Sequence, residues 1–222
     1  MAMNRLKETN GAIAVAEKPS IKTKELPPLN KRTMEVWIRG DSELICHRFS
    51  PEKQEQMLDK QKGTPKGSGR EKRDPEADYK GTLYAHPDGH GFPASAIKRA
   101  CVEACTSLGK TMTKVQSRQA FFVVGDMLLI EGSEPYMRQD VVRNASGVAD
   151  LRFRAAFKEW SIRFQIRYNA NVLTSDQLLN LINVAGFAVG IGDWRPECDG
   201  NFGQFHVEKV MEYEDSQKHT KR

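Results

Sequence analysis

The chain has 222 residues, room for one generous domain or two small ones, and one core with polar ends is the expectation. Its 34 Lys+Arg against 29 Asp+Glu give a formal net charge of +5 and a pI near 9.0, an excess that favours anionic partners. No apolar run nears the ~20 residues of a membrane span and the N-terminus lacks the order of a secretory signal, so a soluble cytoplasmic chain without a membrane partner is expected.

Residues 1–32 mix Lys, Glu, Thr and Pro without sustained periodicity and run through Pro27-Pro28. They carry little apolar area to offset chain entropy, which predicts a flexible arm that orders only on a partner. Met34, Val36 and Ile38 then alternate with Glu35, Trp37 and Arg39 as a strand, which residues 43–49 extend after the turn at Gly40-Asp41. An insertion occupies 51–80. Its stretch 60–79 sets Gly63, Pro65, Gly67, Gly69 and Pro75 among Lys62, Lys66, Arg70, Lys72 and Arg73, the composition of a mobile basic loop.

Ile97, Ala100, Cys101, Ala104, Cys105 and Leu108 recur at spacings of three and four, one helical face, with Ser95 as N-cap and Gly109 as stop. Residues 121–130, dense in apolar side chains around Gly125-Asp126, make a second strand or a strand pair. Residues 151–168 alternate as a third strand, with Ile162, Phe164, Ile166 and Tyr168 opposite Arg163, Gln165 and Arg167. Thr174 and Gln177 form a capping box ahead of Leu178, Leu181, Ile182 and Ala185, and Phe205, Val207 and Val210 mark a fourth strand over 203–213. Strand, helix, strand, strand, helix, strand is the ferredoxin-like (RRM-like) βαββαβ order of an α+β domain, here spanning 33–213, with a flexible tail at 214–222. That fold hosts many functions, although its open sheet is a frequent RNA platform.

Two stretches carry candidate chemistry. The loop 189–205 holds Gly190, Gly192, Gly200 and Gly203, whose freedom lets the backbone approach another chain and cradle phosphate oxygens with its N–H groups. Within it Trp194 and Phe202 are placed to stack bases and Arg195 to pair a phosphate. A tight turn whose aromatics merely pack is the competing reading. In 84–99, small residues and Pro93 let a ligand reach the start of the first helix, where Ser95 and uncompensated N–H groups favour a phosphate. Lys98 and Arg99 lie off the apolar face and stay free to add charge, unless the stretch is an ordinary capped helix with solvated basic residues.

The run Gly91-Phe92-Pro93-Ala94-Ser95-Ala96-Ile97-Lys98-Arg99-Ala100 resembles the Pro-Gly-Ser-Ser-Leu-Lys-Gly helix start of the RAMP superfamily, the repeat-associated proteins of CRISPR systems. Loop 190–203 is similar to that superfamily's C-terminal glycine-rich loop and follows the second helix, as it does there. Ala94 and Ala96 stand where the superfamily has glycine and a second serine, which leaves side-chain phosphate contact to Ser95. The resemblance is nearest to the backbone subunits called Cas seven, and the short chain suits a divergent or virus-encoded relative in a prokaryotic cell. It implies a ferredoxin-like palm, a hairpin thumb, head-to-tail homo-oligomers and a sequence-independent grip on guide RNA, with complementary target RNA or DNA as a further partner. The thumb falls at 135–155, where Arg138 and Arg143 offer charge and Met137 a wedge between bases, or simply an exposed hairpin.

The expected role is therefore a non-catalytic RNA-binding backbone subunit. The alternatives are a guide-RNA processing endoribonuclease of the same fold, or a structural protein with no nucleic-acid role. For the nuclease, His86 and His90 with Lys98 are the candidate acid–base groups, and Asp41 is placed where some backbone subunits cut their target. Cys46, Cys101, Cys105 and Cys198 show no paired CxxC spacing and read as buried thiols; no metal and no cofactor are expected.

Overall fold

The computed structural model describes residues 28–49, 51–63, 74–109, 112–143 and 147–213. The arm over 1–27, the basic loop over 64–73, the thumb turn over 144–146 and the tail over 214–222 lie outside these described residues. The described part of the arm includes Lys31 and Arg32, which already belong to the first strand.

In chain order the elements are β1 (Lys31–Gly40), β2 (Leu44–Cys46), α1 (Pro51–Gln61), α2 (Pro75–Gly81), β3 (Tyr84–His86), β4 (Gly89–Pro93), α3 (Ala94–Ala104), α4 (Lys114–Ala120), β5 (Phe121–Val123), β6 (Met127–Gly132), β7 (Tyr136–Arg143), β8 (Ala149–Phe157), β9 (Trp160–Asn169), α5 (Ser175–Val184) and β10 (Phe205–Tyr213). The fold is mixed α+β with antiparallel sheets. The larger sheet runs β10-β1-β9-β6-β4-β3, with β5 also on β9, and a smaller one runs β2-β8-β7.

Alternation builds the larger sheet. Met34, Val36 and Ile38 of β1 and Ile162, Phe164 and Ile166 of β9 are buried on one face, packed with Ile97 and Cys101 of α3 and Leu178, Leu181 and Ile182 of α5. The other face of the same strands shows Arg39, Arg163, Gln165 and Arg167 to solvent. The pairing Val36 with Phe164 and Ile38 with Ile162 fixes that register, because a one-residue slip would turn all these apolar side chains outward.

Four local expectations are corrected. The single strand expected over 151–168 is two strands in different sheets, broken by a turn at Lys158 and Glu159. The expected extension over 43–49 is β2, which pairs with β8 rather than continuing β1. The expected loop over 60–79 is helical at both described ends: α1 runs through Gln61, and Asp74 caps α2 by accepting from the Glu76 N–H at 3.0 Å, with Pro75 at the first helical position. Finally, Cys46, Cys101 and Cys105 are buried but Cys198 is exposed. No helix among the described residues is long and apolar enough to cross a membrane.

Candidate nucleic-acid interface

Strand β4 runs without a break into α3. Pro93 pairs with Met127 of β6 and occupies the N-cap position, so the helix begins at Ala94, not after Ser95, and no side chain caps it. The Ala94 N–H donates to the Asp126 carbonyl at 2.9 Å. Ser95 and Ala96, small and at the open end of the helix dipole, face a cleft.

The opposite wall of that cleft is the glycine-rich loop, held by backbone bonds within itself and to Glu43 and Ile45 at the chain-distant β2. The Ile191 N–H donates to the Gly203 carbonyl at 2.9 Å, Gly203 N–H to the Glu43 carbonyl at 2.8 Å, and Asp193 N–H to the Ile45 carbonyl at 2.9 Å. All four glycines of the loop are in close quarters, and two show it most directly. Gly203 sits at φ +66° with the Ile191 carbonyl oxygen 1.7 Å from where a Cβ would stand, and Gly192 sits at φ +83° with the Ile45 carbonyl oxygen at 2.6 Å. The two turns singled out in the sequence thus meet, enclosing an open cleft of about 600 Å³.

Ser95, Arg99, Gly190, Gly192 and Arg195 line this cleft together. Arg99 is exposed and makes no hydrogen bond or ion pair with any described residue. Arg195 is not free: it donates to Glu197 at 2.6 and 2.9 Å and to the Gly192 carbonyl at 3.2 Å, so its charge is already matched.

The remaining expected residues lie elsewhere. The Lys98 ammonium donates to the carbonyls of Ser117 at 3.2 Å, Arg118 at 3.0 Å and, closest, Phe121. It also lies 3.8 Å from the Phe121 ring centroid, and burial lowers its pKa to about 8. Lys98 therefore clasps the end of α4 to α3, contrary to the expectation that it stays free. Trp194 and Phe202 pack together, ring centroids 6.2 Å apart, with Arg154 4.3 Å over Trp194 and Arg138 4.5 Å over Phe202. Arg138 and Arg143 lie on β7, whose hairpin with β8 occupies the expected thumb; Arg138 is ion-paired with Glu43 at 3.1 Å and Asp140 at 2.9 Å, while Arg143 is exposed at the strand's end.

Sequence reasoning missed the network that holds the loop. Arg154 is buried, donates to Asp140 at 2.8 Å and pairs with Asp193, and His47 bonds Asp193 at 3.1 Å from inside the cleft. Burial raises the Asp193 carboxyl, but the hydrogen bond with His47 and the charge and hydrogen bonding of Arg154 outweigh it and set the carboxyl low, at about 2. His47 and Asp193 are 146 residues apart in the chain, so no local pattern could have shown the pair.

His86 and His90 do not line the cleft: His86 Nδ1 accepts from the Asp88 N–H at 3.2 Å and His90 packs edge-on against Phe157. Asp41 bonds His206 at 2.6 Å. Burial pushes the Cys46 and Cys101 thiols up to about 12, and no group of His, Cys, Asp or Glu among the described residues could hold a metal ion.

No protein-family model and no curated protein matches this sequence. Among solved structures, the chain is similar to one described as the Type III-B Cmr-beta bound to cognate target RNA, at 13% identity and a TM-score of 0.44. That match covers 83% of this chain and 61% of the other, so the chain spans less than two thirds of its length. It is also similar to Cmr6 from Pyrococcus furiosus, at 10% identity and a TM-score of 0.41, over 81% of this chain and 100% of the other.

Proposed function

We propose that this chain is an RNA-binding subunit of a CRISPR-like ribonucleoprotein, gripping single-stranded RNA by its sugar-phosphate backbone in the cleft between α3 and the glycine-rich loop. The observation that carries this is the meeting of those two turns around an uncapped helix start beside the exposed Arg99 guanidinium. Inside the cleft Asp193 is bonded by Arg154 and His47, and Glu197 by Arg195, so the positive groups left without a hydrogen-bonded partner among the described residues are Arg99 and the helix start. An anion that needs no particular base fits such a site.

The finer reading follows the resemblance. The order β10-β1-β9-β6, with α3 and α5 on one face, supports a ferredoxin-like βαββαβ plan. On that plan the β7–β8 hairpin is the thumb, presenting Arg143 near its tip. Copies then assemble head-to-tail along a guide RNA in the cytoplasm of a prokaryotic cell, without catalysis.

A binding titration of the full chain against fluorescent oligouridine at several salt concentrations tests the site. Arg99→Glu is expected to weaken binding about tenfold near 0.1 M salt and to flatten the log–log salt slope by about 0.7, the loss of one phosphate contact. Unchanged affinity in Arg99→Glu would remove the cleft from the site. The RNA recovered from the titration is expected intact. Cleavage leaving 2′,3′-cyclic phosphate ends would favour the ribonuclease reading instead, with His47 as the acid–base group, since it alone among the described histidines lines the cleft.

A further inference from the structure

A second recess, of about 340 Å³, opens between the first turn of α3 and the loop joining β5 to β6. Ser95 lines both it and the main cleft, so the two spaces adjoin across one residue. Its walls differ in chemistry from the cleft.

Phe122 leaves its side chain 57% exposed although its backbone pairs with β9. The Lys98 ammonium lies 4.8 Å from the Phe122 ring centroid, but it is directed at the carbonyls of Ser117, Arg118 and Phe121; it braces the ring rather than offering hydrogen bonds to a ligand. Asp126 is exposed, and its carboxylate makes no hydrogen bond or ion pair with any described residue. The groups free to meet a ligand are therefore a flat aromatic face and a pair of hydrogen-bond acceptors.

The first turn of α3 borders this recess too, but the uncompensated side-chain charge among its lining residues is that of Asp126 and the Lys98 ammonium is engaged, so a phosphate is less favoured here than in the cleft. A planar ring with adjacent donors suits both groups at once. Among the bases, guanine presents N1–H and N2–H side by side, a bidentate match to a carboxylate. Adenine and cytosine offer one exocyclic amine, and uracil offers one N–H flanked by carbonyl oxygens that a carboxylate repels.

We propose that this recess is a guanine-selective subsite: a base turned out of the bound strand stacks on Phe122 and donates its N1–H and N2–H to Asp126. The inference rests on the RNA reading of the cleft. It adds a base preference to a backbone grip that is otherwise indifferent to sequence.

The test is a competition titration of the full chain with ten-nucleotide oligouridines carrying a single guanosine, inosine or adenosine at scanned positions. Wild-type protein is expected to bind the best-placed guanosine strand about tenfold more tightly than all-uridine RNA, with inosine, which lacks the N2 amine, gaining only a fraction of this. Asp126→Asn is expected to bind the guanosine and all-uridine strands alike. Tight all-uridine binding with no guanosine gain at any position, or a gain that survives Asp126→Asn, would overturn the subsite and leave the cleft reading standing. Failure to bind all-uridine RNA would overturn the cleft reading and the subsite with it.

Discussion

Arg154→Met is expected to lower the unfolding free energy by about 3–5 kcal/mol, because it removes a buried cation and leaves two carboxylates facing its place. Arg154 is 2% exposed and bridges Asp140 on β7 to Asp193 in the glycine-rich loop, while its guanidinium lies 4.3 Å from the Trp194 ring. Trp194 sits at φ 52°, a backbone region that a bulky side chain seldom adopts, so the packing of Arg154 and Phe202 on its ring also holds a strained turn. Urea unfolding followed by Trp fluorescence measures the loss; a change under about 1 kcal/mol would mean that the network contributes little. The pH dependence has a definite sign. The Asp193 carboxyl is lowered from 3.8 to about 2, so its ionised form stabilises the fold above pH 3.8, and that contribution is lost as pH falls towards 2. Wild type is therefore expected to lose stability over this window more steeply than Arg154→Met, which keeps the His47 hydrogen bond but lacks the cation that also lowers this carboxyl.

Gly203→Ala is expected to cost about 3 kcal/mol or more and to abolish RNA binding. The new methyl would stand 1.7 Å from the Ile191 carbonyl oxygen at φ +66°, so the Ile191 to Gly203 bond that closes the loop onto β10 must open. Relief of that clash moves Gly190 and Gly192, one wall of the cleft. Gly147→Ala is the control: it too has positive φ, at +79°, but no described atom lies within 4 Å of its added methyl, and a loss of about 1 kcal/mol from backbone strain alone is expected. Thermal melts separate the two, since ~3 kcal/mol corresponds to a fall in Tm of about 6 °C or more for a chain of this size. Equal shifts in the two variants would show that the close approach at Gly203 is not what holds the loop.

What was legible in the sequence was local. The face of α3, from Ile97 to Ala104, follows from spacing alone, and the Thr174 to Gln177 capping box places the start of α5 because both halves of it lie within one turn. An equivalent box at Thr113 and Gln116 opens α4, but Val115 is exposed and no apolar stripe follows to announce a helix. The sequence places the start of α3 after Ser95, because the actual partner of that start, the Asp126 carbonyl, comes from the loop between β5 and β6. Lys98 fails for the same reason: a helical wheel shows it off the apolar stripe, but not that three carbonyls near the end of α4 converge on it. The expected grouping of the binding residues divides along this line. Ser95, Arg99, Gly190, Gly192 and Arg195 share the cleft because two local turns meet, whereas Trp194, Phe202 and Arg138 are drawn into contacts with chain-distant partners that no local motif contains.

Photocrosslinking of a 4-thiouridine-substituted RNA to the full chain, with the attached peptides identified by mass spectrometry, tests the central claim most directly. Crosslinks to peptides covering 84–100 and 187–205, the two walls of the cleft, are predicted. Crosslinks confined to the solvent face of the larger sheet, at Trp37, Arg163 and Arg167, would contradict this placement and put the RNA on the sheet instead.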